Sequence, residues 1–177
     1  MKKLFVLVAL FVFGISAFGQ VKKTDEKPLA PAFKGITLEG KTIDFADLRG
    51  KVVVLNLWFI NCPNCIEEIN LLNKVVDDNK NNNDVVFIGL ASNTKPELEK
   101  FLKKNPFKYQ IIPGAGEFML FKYGEVNKKG EYHLGYPTHV VVDREGRIVL
   151  KVEGLKGVEA VKSELKKQFA TNEAKTK

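Results

Sequence analysis

The 177 residues, 45% of them apolar, suit one α/β domain with a real core. The formal charge of +7 is carried by lysines spread along the chain, with pairs at Lys103-Lys104, Lys128-Lys129 and Lys166-Lys167. No basic stripe interleaves with aromatics, so a nucleic-acid surface is excluded and the charge is read as a solvated basic surface.

Met1-Lys2-Lys3 is a short basic region, followed by an apolar run from Leu4 to Phe13 and small residues at Ala17 and Gly19. This pattern predicts a cleavable secretory signal over residues 1–19, cut after Gly19. The run falls short of the roughly 20 residues of a comfortable membrane span, so a soluble mature chain is favoured over an anchored one. No cysteine lies near the cut, which excludes a bacterial lipoprotein anchor. Export places the protein in the periplasm or another extracytoplasmic compartment, where disulfides persist.

Residues 20–30 read as a polar linker, and Pro31-Ala32-Phe33 opens the domain. Ile36-Thr37-Leu38 and Thr42–Phe45 flank Glu39-Gly40-Lys41, a β-hairpin pattern. Val52–Leu57 is apolar on both faces except at Asn56, as expected of a buried parallel strand. From Cys65 to Asp77 the spacing of Ile66, Ile69, Leu72, Val75 and Val76 predicts a helix. Val85–Leu90 is a second apolar strand, completing a βαβ unit and hence a partly parallel sheet. Thr94-Lys95-Pro96-Glu97 has the capping-box pattern of a helix that stops at Asn105-Pro106. A short strand is expected over Phe107–Ile112 and a short helix over Glu117–Tyr123. Residues 124–135 are a polar, glycine-containing insertion. The strand Thr138–Val142 turns through Asp143-Arg144-Glu145-Gly146 into Arg147–Val152. A last helix over about 157–169 buries Val158, Val161, Leu165 and Phe169, leaving 171–177 as a frayed tail.

Cys62-Pro63-Asn64-Cys65 holds the only two cysteines, between an apolar strand and a helical pattern. The thiolate is the reactive form of cysteine, and a helix start lowers a thiol's pKa. Cys62 is therefore the expected nucleophile and the more exposed sulfur. Pro63 suits the first helical position. Cys65, one turn on, is the resolving thiol that displaces what Cys62 has captured. An inert structural disulfide is the competing reading. It would close a loop of only four residues, for which chain entropy supplies about 2 kcal/mol.

The chain resembles the thioredoxin superfamily, and within it the exported proteins of the TlpA/ResA type. The resemblance covers about residues 31–170. It is carried by Leu48–Trp58, by Cys62-Pro63-Asn64-Cys65 with Glu68, and by Tyr136-Pro137-Thr138 leading to Val141–Gly146. It implies a thioredoxin-like α/β fold: a central mixed sheet flanked by helices, an N-terminal β-hairpin, and an insertion before the strand that follows a cis-proline. It also implies thiol–disulfide exchange on protein substrates such as apocytochrome c, in support of cytochrome c maturation. A membrane-bound thiol electron donor, a monomeric state and no cofactor or metal complete the expectation.

The same resemblance assigns residues. Glu68, one turn after Cys65 and so on the same helical face, corresponds to a buried acid able to accept the Cys65 proton, with a solvated surface glutamate as the competing reading. Its carboxylate would disfavour a thiolate, making the protein a reductant. Many thioredoxins place an acid in the preceding strand, where this chain has Asn56. Pro137 corresponds to the proline after a cis bond facing the cysteines. With Tyr136 and Trp58 it makes up the expected substrate-binding residues, although plain core packing competes for Trp58.

Three features depart from the family pattern: Asn61 where Trp is common, His139 where a small or apolar residue is usual, and a longer 124–135 insertion. Two other enzyme or binding classes compete. A thiol peroxidase would carry Thr or Ser three positions before its cysteine, where Phe59 stands. A non-catalytic thioredoxin-like binding module is the other. A Cys62, Cys65, His133, His139 zinc site fits known ligand types, but both histidines have ordinary surface explanations.

Overall fold

The fold is that of a computed structural model that describes residues 26–175, with side chains through residue 170. The expected export signal and its cleavage point lie outside these residues. The five-stranded sheet is built on β3 (Val52–Trp58), whose seven residues are all buried. β4 (Val85–Ala91) and β5 (Gln110–Ile112) extend it in parallel on one side. β8 (Thr138–Val142) and β9 (Ile148–Glu153) extend it antiparallel on the other, giving the order β5-β4-β3-β8-β9. This is the mixed sheet of a thioredoxin-like fold.

Alternation along β3 sends its side chains to two cores. Val53, Leu55 and Leu57 join Ile88, Leu90, Val140 and Val142 against α4 (Gly116–Tyr123), which contributes Met119 and Tyr123. Val52 and Val54 face the opposite way, with Val141, onto Leu72 and Val75 of α2 (Ile69–Asp78) and Val158, Val161 and Leu165 of α5 (Gly157–Lys175). α3 (Lys95–Leu102) begins with the expected capping box, Glu97 accepting from the Thr94 amide at 2.8 Å.

Several boundaries differ from the sequence expectation, each for a local reason. The N-terminal hairpin pairs β1 (Lys34–Ile36) with β2 (Thr42–Asp44), so Thr37 and Leu38 belong to the connection. The Thr37 amide already bonds Lys41 O, and Leu38 N reaches across to Ile111 O. Gly40, with φ 83°, supplies the left-handed residue this connection needs. The helix expected from Cys65 to Asp77 is two helices, α1 (Pro63–Glu67) and α2, joined at Glu68. Residues 107–109 are not strand, because Asn73 of α2 takes the backbone for itself: its Nδ2 donates to Pro106 O and its Oδ1 accepts from Lys108 N.

The insertion is not featureless. It folds as a two-stranded hairpin, β6 (Glu125–Val126) with β7 (Tyr132–His133), whose Tyr132 ring meets Phe121 of α4 edge-on. The end of the expected linker is tied down: Ile148 N donates to Pro28 O, and Ala30 N to Gly146 O. The expected tail is helical as far as Lys175.

Candidate active site

β3 delivers the chain to the C-terminal end of the sheet, the place where a following helix presents its first residues. Asn93, just beyond β4, accepts the Ile60 amide on its Oδ1 at 2.8 Å and fixes the approach to the cysteines. Cys62 then caps α1, its Sγ accepting from the Cys65 amide at 3.1 Å. Pro63 occupies the first turn, where its missing N–H costs nothing. Cys62 and Cys65 are joined in a disulfide. The expected contrast in exposure is slight in this oxidised form: Cys62 is 4% exposed and Cys65 2%.

One turn after Cys65 a buried polar chain begins. Glu68, at the α1–α2 junction, is only 2% exposed. Its Oε1 accepts from Asn56 Nδ2 at 3.0 Å, and its Oε2 meets His139 Nε2 at 2.9 Å. Asn56 Oδ1 in turn accepts from the Tyr109 hydroxyl at 3.2 Å. The sheet register assembles this group. Asn56 on β3 pairs with His139 on β8 and with Gly89 on β4, so all three occupy one row on one face. Gly89 supplies the space: a Cβ there would stand 3.1 Å from the Tyr109 ring and 3.2 Å from the Trp58 indole nitrogen.

Burial raises the Tyr109 phenol well above the usual tyrosine range, and the Glu68 charge adds to it. The hydroxyl is therefore a donor at physiological pH, which also fixes the Asn56 amide: oxygen toward Tyr109, nitrogen toward the carboxylate. Leaving any one of these groups buried and unpaired would cost about 1–3 kcal/mol. The network persists as a set.

Of the remaining expected residues, Tyr136 is half-buried, while Pro137 and Trp58 are buried. The Tyr136-Pro137 bond is cis. Tyr136 packs edge-on against Phe59 at 5.0 Å, close in sequence to Cys62, and burial pushes its phenol up. Trp58 is 0% exposed, stacked on Phe107 at 4.6 Å and tilted against Phe101 at 5.7 Å. It backs the cysteine pair from inside the core and offers no surface to a substrate.

The surface reading given to both histidines holds for His133 and fails for His139. His133 is exposed on β7, but His139 is 0% exposed and hydrogen-bonded to Glu68. Among the described residues no group of three or more His, Cys, Asp and Glu could hold a metal ion. Tyr109, Asn73, Asn93 and Gly89 escaped the sequence reading. His139 carried a usable signal: an ionisable residue inside Thr-His-Val-Val-Val, a strand otherwise suited to burial.

The comparisons with known proteins agree with this geometry. The AhpC/TSA family model matches residues 28–151. Thiol-disulfide oxidoreductase ResA of Bacillus cereus is 26% identical over 85% of this chain and 82% of its own length. Thiol:disulfide interchange protein DsbE of Pseudomonas fluorescens biotype C is 31% identical over 86% of this chain and 81% of its own. A Bacteroides thetaiotaomicron protein, described as a candidate protein disulfide isomerase, superposes with a TM-score of 0.66 at 26% identity, over 81% of this chain and 89% of that one. With its thioredoxin-like sheet and its Cys62–Cys65 pair, the chain belongs to the AhpC/TSA family and is a thiol–disulfide oxidoreductase of the ResA/DsbE-like kind.

Proposed function

We propose that the protein is an extracytoplasmic reductant of protein disulfides. The observation that carries this reading is the buried Glu68, held by Asn56 and His139 one turn after Cys65. A carboxylate there disfavours a second negative charge on the cysteines. The reduced form is then less stabilised than in strongly oxidising relatives, whose very acidic cysteine favours the dithiol state. A less stabilised dithiol gives up its electrons more readily.

The Cys62 thiolate attacks a substrate disulfide and forms a mixed disulfide, releasing the substrate's other sulfur as a thiolate. Cys65 loses its proton to Glu68 and attacks Cys62 Sγ. The bond between Cys62 and the substrate breaks, and its electron pair leaves on the substrate sulfur. Two electrons have passed from the dithiol to the substrate. A membrane-bound thiol donor restores the dithiol, in keeping with the resemblance to TlpA/ResA-type proteins, which also favours apocytochrome c as the substrate. Tyr136 and Pro137 line the groove that receives the peptide. The N-terminal pattern and the oxidisable pair favour the periplasm or an equivalent compartment.

Trapping with Cys65→Ala in the native compartment tests the reading. Protein partners disulfide-linked to Cys62 are expected, together with a potential well below that of the oxidising relatives. A potential near −120 mV, the oxidising end of the family, would reverse the direction. Peroxide turnover faster than insulin reduction would replace the substrate class.

A further inference from the structure

The geometry points to His139 as a positioning residue of the exchange reaction. Its imidazole is a neutral hydrogen-bond donor that, with Asn56, fixes the Glu68 carboxylate to receive the proton of Cys65. The inference rests on the oxidoreductase reading and deepens it.

His139 Nε2 lies 2.9 Å from Glu68 Oε2, and both side chains are buried. One proton must sit between them for this contact to hold. Nδ1, on the far side of the ring, is buried and meets no protein hydrogen-bond partner. An imidazolium would therefore bury a second N–H without an acceptor, a costly arrangement. The neutral tautomer with the proton on Nε2 leaves only a lone pair there. In that tautomer every donor runs toward the carboxylate: Tyr109 to Asn56, Asn56 to Glu68, and His139 to Glu68. A carboxylate offers about four acceptor sites. Two are occupied by donors on rigid strands, so its plane is set while acceptor capacity is left for an incoming proton.

The chain builds a slot for this ring. Gly157, the first residue of α5, faces the imidazole edge, and a Cβ there would run into His139 Cδ2. The ionisable groups around the carboxylate are His139, Tyr109 and the cysteine pair. The register neighbours Asn56, Gly89 and Val152 are neutral, and the charged Lys156, just before α5, and Glu159, in its first turn, are exposed.

In the step concerned, the Cys65 S–H bond breaks and the proton passes to Glu68. The Cys65–Cys62 sulfur bond forms, and the Cys62–substrate bond breaks with its electron pair on the leaving thiolate. His139 exchanges no electron and touches no substrate. It acts through Glu68.

The test follows the resolution of a preformed Cys62–glutathione mixed disulfide across pH. His139→Ala is expected to slow resolution about tenfold and to move the acid limb of the profile up by about one pH unit, the equivalent of one lost hydrogen bond to a charged group. His139→Gln, whose amide nitrogen can donate from nearly the same place, is expected to return within about threefold of wild type with the profile restored. Should His139→Ala not fold, Gly157→Ala, which displaces the ring and removes no polar group, is expected to slow resolution and shift the profile in the same sense. Wild-type rate and profile in His139→Ala, or in Gly157→Ala where that variant stands in, overturn the positioning role alone. A His139→Gln variant as slow and as shifted as His139→Ala overturns the neutral-donor form of it. A wild-type protein that never resolves the mixed disulfide overturns the oxidoreductase reading itself.

Discussion

The two faces of the central sheet are made of the same strands and do different work. On the face toward α4, Val53, Leu55, Leu57, Ile88, Leu90, Val140 and Val142 pack together with no ionic group among them, and the Thr138 hydroxyl at the edge donates to Gly135 O. On the other face β3 begins equally dry at Val52 and Val54, then changes at Asn56 to a row that includes His139 and meets Glu68 and Tyr109. Burying such groups stabilises a fold little or not at all compared with apolar residues of similar size. The dry face accounts for stability; the polar row that holds Glu68 finds its reason in the proton transfer proposed between Glu68 and Cys65.

The sharpest break of this comparison is at the cysteines. Cys62→Ser should abolish insulin reduction entirely, while chemical unfolding loses only about the 2 kcal/mol that chain entropy assigns to a short cross-link. Retained activity would separate the polar row from any redox role. On the dry face, Leu55→Ala should lose about 2–5 kcal/mol in denaturant unfolding, because the emptied site cannot fully collapse. The pH profile of whatever remains folded should be that of wild type. A shifted profile would show that the two faces are coupled.

Glu68→Gln should do the converse. Loss of the acceptor slows the resolving step on the order of 10²-fold, the usual worth of a general base. The same change lowers the pKa of the cysteine pair, since a neighbouring negative charge is gone. Thiolate absorbance measured against pH reads the second effect and stopped-flow the first. Unchanged titration and turnover together would exclude the carboxylate from the chemistry.

The smallest effect is expected at the far end of the row. Tyr109→Phe leaves Asn56 Oδ1 without its donor, costing about 1–3 kcal/mol. It should also reduce the loss of stability in alkali. The folded protein holds the Tyr109 phenol protonated by burial, whereas the unfolded chain releases that proton near pH 10. Stability is therefore unaffected below about pH 10 and falls as the pH rises above it. Tyr123, also raised by burial, contributes in the same direction and is untouched by the substitution. Parallel alkaline unfolding curves for wild type and Tyr109→Phe would contradict the buried hydroxyl.

Local chemistry determined much of this protein. The largely apolar runs at 52–57, 85–90 and 138–142, short and rich in β-branched residues, read as buried strands, and periodicity set the helices that cover them. The capping box of α3 and the Cys-Pro-Asn-Cys turn are contained within a few residues, so their geometry is written in the order of side chains. The family pattern added the cis bond at Pro137 and drew attention to Glu68. What only the tertiary structure decided are the relations between distant segments. Nothing local breaks the predicted helix at Glu68, turns Asn73 toward 106–108, or brings Tyr109 to Asn56. His139 reads locally as an irregularity in an apolar strand. It becomes the partner of Glu68 only because β8 pairs with β3 in a register that sets it opposite Asn56, and because Gly157 leaves the ring its room. Register and packing are long-range properties, fixed when strands far apart in sequence bury their apolar faces together.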